Sequence, residues 1–364
     1  MWEPFGQGAA RRVTVPDCHQ VLVLVPHVVA GTRLMDVLTL LEADHRVQVV
    51  CAVPAGSPPG TEEFVLAQGA LLIPWEHALR HRFDLVLAAS HQDVDRVHGP
   101  VLVLPHGASA AKSRRLHGHG LDRASLTRAG RVVPAAIVLA HDDELLLLAD
   151  ACPEAVPHAV VAGDLCLDRM RASQPFRAQY RAAAGIGEDE TLVTVSSTWS
   201  PSSTFGSGPA LYRELLREHR VAAVLHPNIW QVHGAWQVRA WLADCAGLVV
   251  VPPEEGWRAV VIASDVVVGD HGSVTQYAAA VGVPIVLAST PEVRPGSFAD
   301  QLSRHAPLID CGQPVVAQAK RVPLTISSRP GESAAILRTT MYRLLGLSEP
   351  ARACRAEPVP VHHV

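Results

Sequence analysis

Short apolar runs alternate with longer segments of mixed polarity along almost the whole chain. Each run has four to seven residues, is rich in Val, Leu and Ile, and is bounded by Pro, Gly or Asp. This pattern is typical of strands buried on both faces of a parallel sheet. It predicts strands at residues 21–25, 47–53, 70–73, 84–90, 101–105 and 135–140, and then at 191–197, 221–227, 247–252, 264–270 and 283–289.

The segments between these runs carry apolar residues at helical spacing, as in residues 32–44, 208–219 and 234–245. Strands that alternate with helices predict an α/β fold, and two sets of runs predict two doubly wound halves. We place the boundary where a strand ends at a Gly-Asp turn before a polar helix. The predicted domains are residues 1–168 and 169–345, with a flexible tail over 346–364.

Polar residues interrupt the chain where the predicted strands end. Open parallel sheets bind ligands at the carboxyl ends of their strands, so two such halves predict a cleft between two sheet edges. His106 and Gly107 directly follow the run 101–105, and Lys112 lies further along the same loop. A histidine here can act as a general base near neutral pH, and a glycine permits close approach of the backbone. An ordinary loop histidine, one of 19 in the chain, is the alternative interpretation.

The second half has polar breaks at corresponding positions. A loop of serines, threonines and glycines that contains Thr198 follows the run 191–197, and His226 precedes a proline at the end of the run 221–227. Hydroxyls and backbone N–H groups in such a loop can bind an anion. A flexible loop and a proline that merely ends a strand are the alternatives left open at these two places.

The most specific break lies within residues 266–287, where an apolar run stops at Asp270 and a helix of small residues opens at Gly272 and Ser273. The N–H groups and the dipole of a helix start favour phosphate or diphosphate. Because Asp270 would repel phosphate, it either caps the helix or meets a hydroxyl or amide group.

Composition narrows the class of protein. A length of 364 residues suits two domains, and 48% hydrophobic with 18% charged residues indicates a well-buried globular protein. A net charge of -4 argues against a nucleic-acid partner. Seven scattered cysteines without a CxxC pair, the lack of a signal-peptide pattern and the lack of a long apolar run predict a soluble, cytoplasmic protein.

The order of these motifs resembles the CDP-glycerol glycerophosphotransferase family of teichoic-acid polymerases, which have the GT-B fold of two Rossmann-like domains facing across a cleft. The family pattern reads approximately WHGTPLK, G-x-P-R-x-D, A-P-T-W-R, H-P and D-Y-S-S…K-P. This chain has PHG, GDLCLDRM, SSTW, HP and GDHGS…GVP in the same order. The last element is equally similar to that of the UDP-N-acetylglucosamine 2-epimerases, another GT-B group.

The resemblance implies a role for each matched position. His106 would be the catalytic base that activates the acceptor hydroxyl, with Gly107 and Lys112 on the acceptor side. The residues implied on the donor side are Thr198, His226, Asp270, Gly272 and Ser273, with the diphosphate on His226 and at the helix start. Three positions depart from the pattern, since Pro105, Ser200 and Gly272 replace its Trp, Arg and first Ser.

These observations predict a GT-B transferase that moves a glycerophospho or glycosyl group from a CDP- or UDP-type donor to an acceptor hydroxyl. GT-B enzymes do not require a metal, so we expect neither a metal nor a cofactor, and at most a peripheral membrane contact. One alternative is a UDP-sugar epimerase or hydrolase, for which the candidate carboxylates are Asp164, Glu254, Glu255 and Asp270. The other is a GT-B protein that binds a nucleotide without turnover.

Overall fold

The computed structural model describes residues 4–5, 13–111, 119–290, 292–310 and 312–361. These residues form two compact units. The first unit contains the described residues up to Ala110 together with Gly120–Leu165 and Ser328–Arg355. The second contains Ala111, His119, Cys166–Ser327 and the described residues from Ala356 onward.

A six-stranded parallel sheet in the order β2-β1-β3-β4-β7-β8 forms the centre of the first unit. Its strands are β1 (His19–Leu24), β2 (Val47–Ala52), β3 (Leu85–Ala88), β4 (Val101–Val103), β7 (Ala136–Leu139) and β8 (Ala159–Val161), and the short strands β5 (Thr127–Arg128) and β6 (Arg131–Val132) form an antiparallel pair beside it. The helices of this unit are α1 (Val28–Leu38), α2 (Thr61–Ala67), α3 (Trp75–Ala78), α4 (Arg123–Leu126), α5 (Asp142–Ala151) and α15 (Ser333–Leu345).

A five-stranded parallel sheet in the order β11-β10-β9-β12-β13 forms the centre of the second unit. Its strands are β9 (Leu192–Ser197), β10 (Arg220–Leu225), β11 (Val249–Val250), β12 (Val266–Gly269) and β13 (Ile285–Leu287). Its helices are α7 (Arg177–Ala183), α8 (Ala210–Leu215), α9 (Pro227–His233), α10 (Ala235–Trp241), α11 (Trp257–Ala263), α12 (Ser273–Ala280), α13 (Phe298–His305) and α14 (Val315–Gln318), and α6 (Leu165–Ser173) begins at the last residue of the first unit.

The apolar runs form these strands because both faces of each sheet are covered. Val23 and Leu87 in the first sheet and Val195 and Val268 in the second are fully buried. The predicted strand 70–73 is the exception, because it makes only an isolated bridge between Leu72 and Cys51 beside the edge strand β2. Within the described residues, no helix combines the length and the apolar character needed to cross a bilayer.

Residues 328–355 belong to the first unit, whereas the predicted second domain extends to residue 345. Helix α15 falls in the first unit, where the Tyr342 hydroxyl donates a hydrogen bond of 2.7 Å to the Asp44 carboxylate. The Arg46 guanidinium donates to the Ser348 carbonyl oxygen at 2.9 Å. The residues between 328 and 355 therefore pack on the first sheet, although they are distant from it in sequence.

Residues 356–361 are held against the second unit, whereas the sequence predicts a flexible tail there. Val359 is 3% exposed, its N–H donates to the Ser173 hydroxyl at 2.9 Å, and its carbonyl oxygen accepts from the Tyr180 hydroxyl at 2.6 Å. The Arg169 guanidinium donates to the carbonyl oxygens of Glu357 and Pro358. The segment is ordered because one apolar side chain is buried and its backbone groups are paired.

We expect the substitution Val359→Ala to lower the free energy of unfolding by about 1–3 kcal/mol, since it removes buried methyl groups. Val361→Ala is the matched control because Val361 is 42% exposed, and it should leave stability unchanged. Chemical denaturation of the two variants measures both values. Equal stability of the two variants would mean that the segment is not anchored.

Candidate functional site

The second sheet brings three of the predicted polar breaks together. Strands β10, β9 and β12 are neighbours and run parallel, so their carboxyl ends lie at one edge. His226 follows β10, Thr198 follows β9, and Asp270 follows β12. We call Thr198, His226, Asp270, Gly272 and Ser273 the strand-end site.

Asp270 holds the strand-end site together. Its carboxylate is completely buried, and one oxygen, Oδ2, accepts from the Thr198 N–H and the Thr198 hydroxyl, each at 2.9 Å, and from the Thr204 N–H at 3.3 Å. The other oxygen, Oδ1, accepts from the Gly272 N–H at 3.0 Å. Asp270 therefore connects the serine-rich loop after β9 to the start of α12, and hydrogen bonds within the unit account for both of its oxygens.

Gly272 is the N-cap residue of α12 and leaves no room for a side chain. A Cβ atom there would lie 2.8 Å from Thr198 Cγ2 and 3.1 Å from Asp270 Oδ1. Because its N–H donates to Asp270, the amide that the resemblance assigns to phosphate is engaged inside the protein. The next N–H groups belong to the first turn of α12, the end of the helix where the dipole favours an anion.

His226 presents a defined tautomer at the same edge. It is the N-cap of α9, and its Nδ1 accepts from the Asn228 N–H at 3.1 Å. The neutral ring therefore carries its proton on Nε2, which makes Nε2 a hydrogen-bond donor. The Trp199 indole lies against the imidazole, with 4.2 Å between the ring centroids.

An aromatic cavity of about 390 Å³ adjoins this edge. Trp199 forms part of its wall, and the other large residues that line it are Phe205, Ile229, His233 and Trp241. Trp199 remains 48% exposed. A cavity with mainly aromatic and apolar walls and a volume of this order is typical of small-molecule sites. Sequence reasoning did not identify this cavity, although Ile229 and His233 are spaced to share one face of α9.

In the first unit, His106 follows β4 and its tautomer is also fixed. Its Nδ1 lies 2.6 Å from the Ala89 carbonyl oxygen. Since a carbonyl oxygen can only accept, Nδ1 carries the proton and Nε2 keeps its lone pair in the neutral ring. The ring of His27, a residue the sequence analysis did not single out, packs edge-on against it at 5.3 Å between centroids.

The loop that carries His106 is anchored by one buried carboxylate. Glu144, at the start of α5, accepts hydrogen bonds from the Ser109 hydroxyl, from the Ala110 N–H at 2.7 Å and from the Ala140 N–H at 2.7 Å. Gly107 lies within this anchored loop. Lys112, the other residue predicted on the acceptor side, lies outside the described residues.

Two of the other candidate carboxylates, Asp164 and Glu255, have structural partners in their own units. Asp164 lies 4.0 Å from the buried Arg33 guanidinium, and Glu255 pairs with Arg258 three residues later. In the part of the chain that the structure describes, no three His, Cys, Asp or Glu side chains are grouped as a metal ion would require.

Comparison with known proteins gives a result at the level of fold. No protein-family model and no curated protein matches the chain. The UDP-GlcNAc 2-epimerase of Methanocaldococcus jannaschii, solved with UDP-GlcNAc and UDP, is similar in structure over 89% of this chain and 99% of its own, with a TM-score of 0.57 and 10% identity.

A second similar structure is that of the wall teichoic acid polymerase TagF, as its H444N variant, with a TM-score of 0.52 and 10% identity over 75% of this chain and 71% of that one. The same variant soaked with CDPG gives a TM-score of 0.50. These likenesses confirm the predicted GT-B fold and its two Rossmann-like domains, and they agree with the resemblance to both groups.

We expect Asp270→Asn to destabilise the second unit by about 1–3 kcal/mol, because an amide would turn N–H groups toward backbone donors that now meet a carboxylate oxygen. Asp244→Asn is the matched control, since Asp244 is exposed in the same unit. Thermal unfolding followed by calorimetry measures both. If Asp270→Asn lowers the free energy of unfolding no more than Asp244→Asn does, Asp270 does not stabilise the unit.

Proposed function

We propose that this protein is a GT-B transferase that binds a nucleotide-diphosphate-linked donor on its second unit and transfers a glycerophospho or glycosyl group to an acceptor hydroxyl. The observation that carries the proposal is the convergence of the His226 imidazole and the start of α12 at one sheet edge. Both features favour a phosphate group, the first through an N–H donor and the second through its dipole.

The aromatic cavity supports a donor that carries a planar ring. Trp199 contributes both to the cavity wall and to the contact with His226, so it joins the proposed phosphate position to the cavity. Indole and phenyl faces stack on planar rings at little cost in conformational entropy. We assign the cavity to the nucleobase of the donor.

His106 is suited to the acceptor half of the reaction. With its Nδ1 proton donated to the Ala89 carbonyl oxygen, its Nε2 lone pair can receive the proton of the acceptor hydroxyl. The oxygen then attacks phosphorus and CMP leaves, or it attacks the anomeric carbon and a nucleoside diphosphate leaves. In either version the His226 N–H and the helix dipole stabilise the negative charge of the leaving phosphate.

The two alternative functions, a UDP-sugar epimerase or hydrolase and a nucleotide-binding protein without turnover, require different residues in the site. An epimerase or hydrolase needs carboxylates in the site, and three of the four candidates, Asp164, Glu255 and Asp270, already have structural partners. A nucleotide-binding protein without turnover needs only the strand-end site and the aromatic cavity. Donor binding followed by a turnover assay separates these alternatives from the transferase.

We expect CDP, UDP or GDP, or one of their sugar or glycerol conjugates, to raise the melting temperature. At a ligand concentration of about 100 times Kd, the stabilisation is about 2.7 kcal/mol, or several degrees. Ser273→Leu should weaken this shift by obstructing the start of α12, and Ser303→Leu, on α13 of the same unit, is its control. If no nucleotide shifts the melting temperature at millimolar concentration, the transferase and nucleotide-binding proposals both fail.

We expect His106→Ala to lower kcat by about 10²–10⁴-fold, the usual contribution of a positioned base, with donor affinity unchanged. His45→Ala, an exposed histidine of the same unit, is the control and should retain full activity. Release of CMP or of a nucleoside diphosphate measures turnover, and calorimetric titration measures donor affinity. Loss of donor affinity in His106→Ala would assign the residue to donor binding instead.

A further inference from the structure

His27 occupies the position after β1 that His106 occupies after β4. It follows Pro26 at the carboxyl end of its strand, as His106 follows Pro105. It is the N-cap of α1, and its Nδ1 accepts from the Ala30 N–H at 3.1 Å. Because Nδ1 is the acceptor in this bond, the neutral His27 ring carries its proton on Nε2.

The two imidazoles therefore have opposite tautomers. Nε2 of His106 carries a lone pair, because its Nδ1–H donates to the Ala89 carbonyl oxygen. Nε2 of His27 carries a proton, because its Nδ1 accepts from a helix amide. The two rings pack edge to face with their centroids 5.3 Å apart, so a small group that reaches one imidazole lies beside the other.

The environment of His27 keeps its ring neutral. Burial, and then the proximity of His106, lowers the pKa of His27 from 6.5 to about 4. Because the His27 ring stays neutral, it keeps its Nε2–H when His106 takes up a proton. His27 therefore remains a single N–H donor throughout the pH range in which a histidine base works.

We propose that His27 is a second catalytic residue, whose Nε2–H donates a hydrogen bond to the acceptor oxygen while His106 Nε2 removes its proton. This inference rests on the proposed transferase function. The proton moves from the acceptor hydroxyl to His106, an electron pair of the oxygen forms the new bond, and the leaving group departs with the electrons of the broken bond. His27 keeps its proton throughout and selects an oxygen that can accept one hydrogen bond and donate another.

Two substitutions separate catalysis from helix capping. His27→Ser retains a hydroxyl that can cap α1 but removes the imidazole N–H, and His27→Asn provides both a cap oxygen and an amide N–H. We expect His27→Ser to lower kcat by about 10–100-fold with an unchanged melting temperature and donor KM. His27→Asn should recover part of the loss. A His27→Ser variant with the kcat of the wild type would reduce His27 to a helix cap and overturn the inference.

A second measurement keeps the test independent of folding in the variants. In ¹⁵N-histidine-labelled protein, long-range ¹H–¹⁵N spectra should show the Nε2–H tautomer for His27 and the Nδ1–H tautomer for His106. The His27 signal should stay neutral well below pH 6.5. A His27 ring that is protonated on Nδ1, or that titrates near pH 6.5, would overturn the inference.

The wild type and His106→Ala are assayed beside these variants. If the wild type turns over a donor, His106→Ala is inactive and His27→Ser is fully active, only the inference about His27 is wrong. If the wild type turns over no nucleotide-linked donor, the proposed function fails, and the catalytic role of His27 fails with it.

Discussion

The second unit depends on a single buried carboxylate. Asp270 is completely removed from solvent, and a buried polar group is tolerated only when hydrogen bonds replace its hydration. Thr198, Thr204 and Gly272 supply those bonds from two loops that are far apart in sequence. The carboxylate therefore fixes the loop after β9 against the start of α12, and the proposed phosphate position follows from that fixed geometry.

Most of the fold could be predicted because parallel strands buried on both faces give a strong local signal. The runs that became β1, β3 and β12 are nearly uniform stretches of apolar residues with clear polar boundaries. The position of α15 could not be predicted in this way, because its pattern shows that it has a buried face but not which sheet covers that face. Long-range contacts such as Tyr342 with Asp44 decide that question.

The candidate site was predictable in position but not in the role of each residue. Strand ends indicated His106, Thr198, His226 and Asp270, since each breaks an apolar run. The bonds that fix a histidine tautomer or engage the Gly272 amide depend on partners that a linear pattern does not show. The sequence carries the same signal for His27, which follows an apolar run and a proline as His106 does, but the apolar residues of α1 resume directly after His27 and hide the break.

The path of the chain between the two units has a consequence for biosynthesis. The long segments of the chain alternate between the units, with crossings at Leu165–Cys166, Ser327–Ser328 and Arg355–Ala356. Domains usually fold one after another as the ribosome releases them, the N-terminal one first. Here the first sheet must wait for α15, which is synthesised after the whole of the second sheet. A nascent chain that stops near the middle of the sequence therefore exposes apolar surface that α15 would cover, and such a chain is a natural client for chaperones.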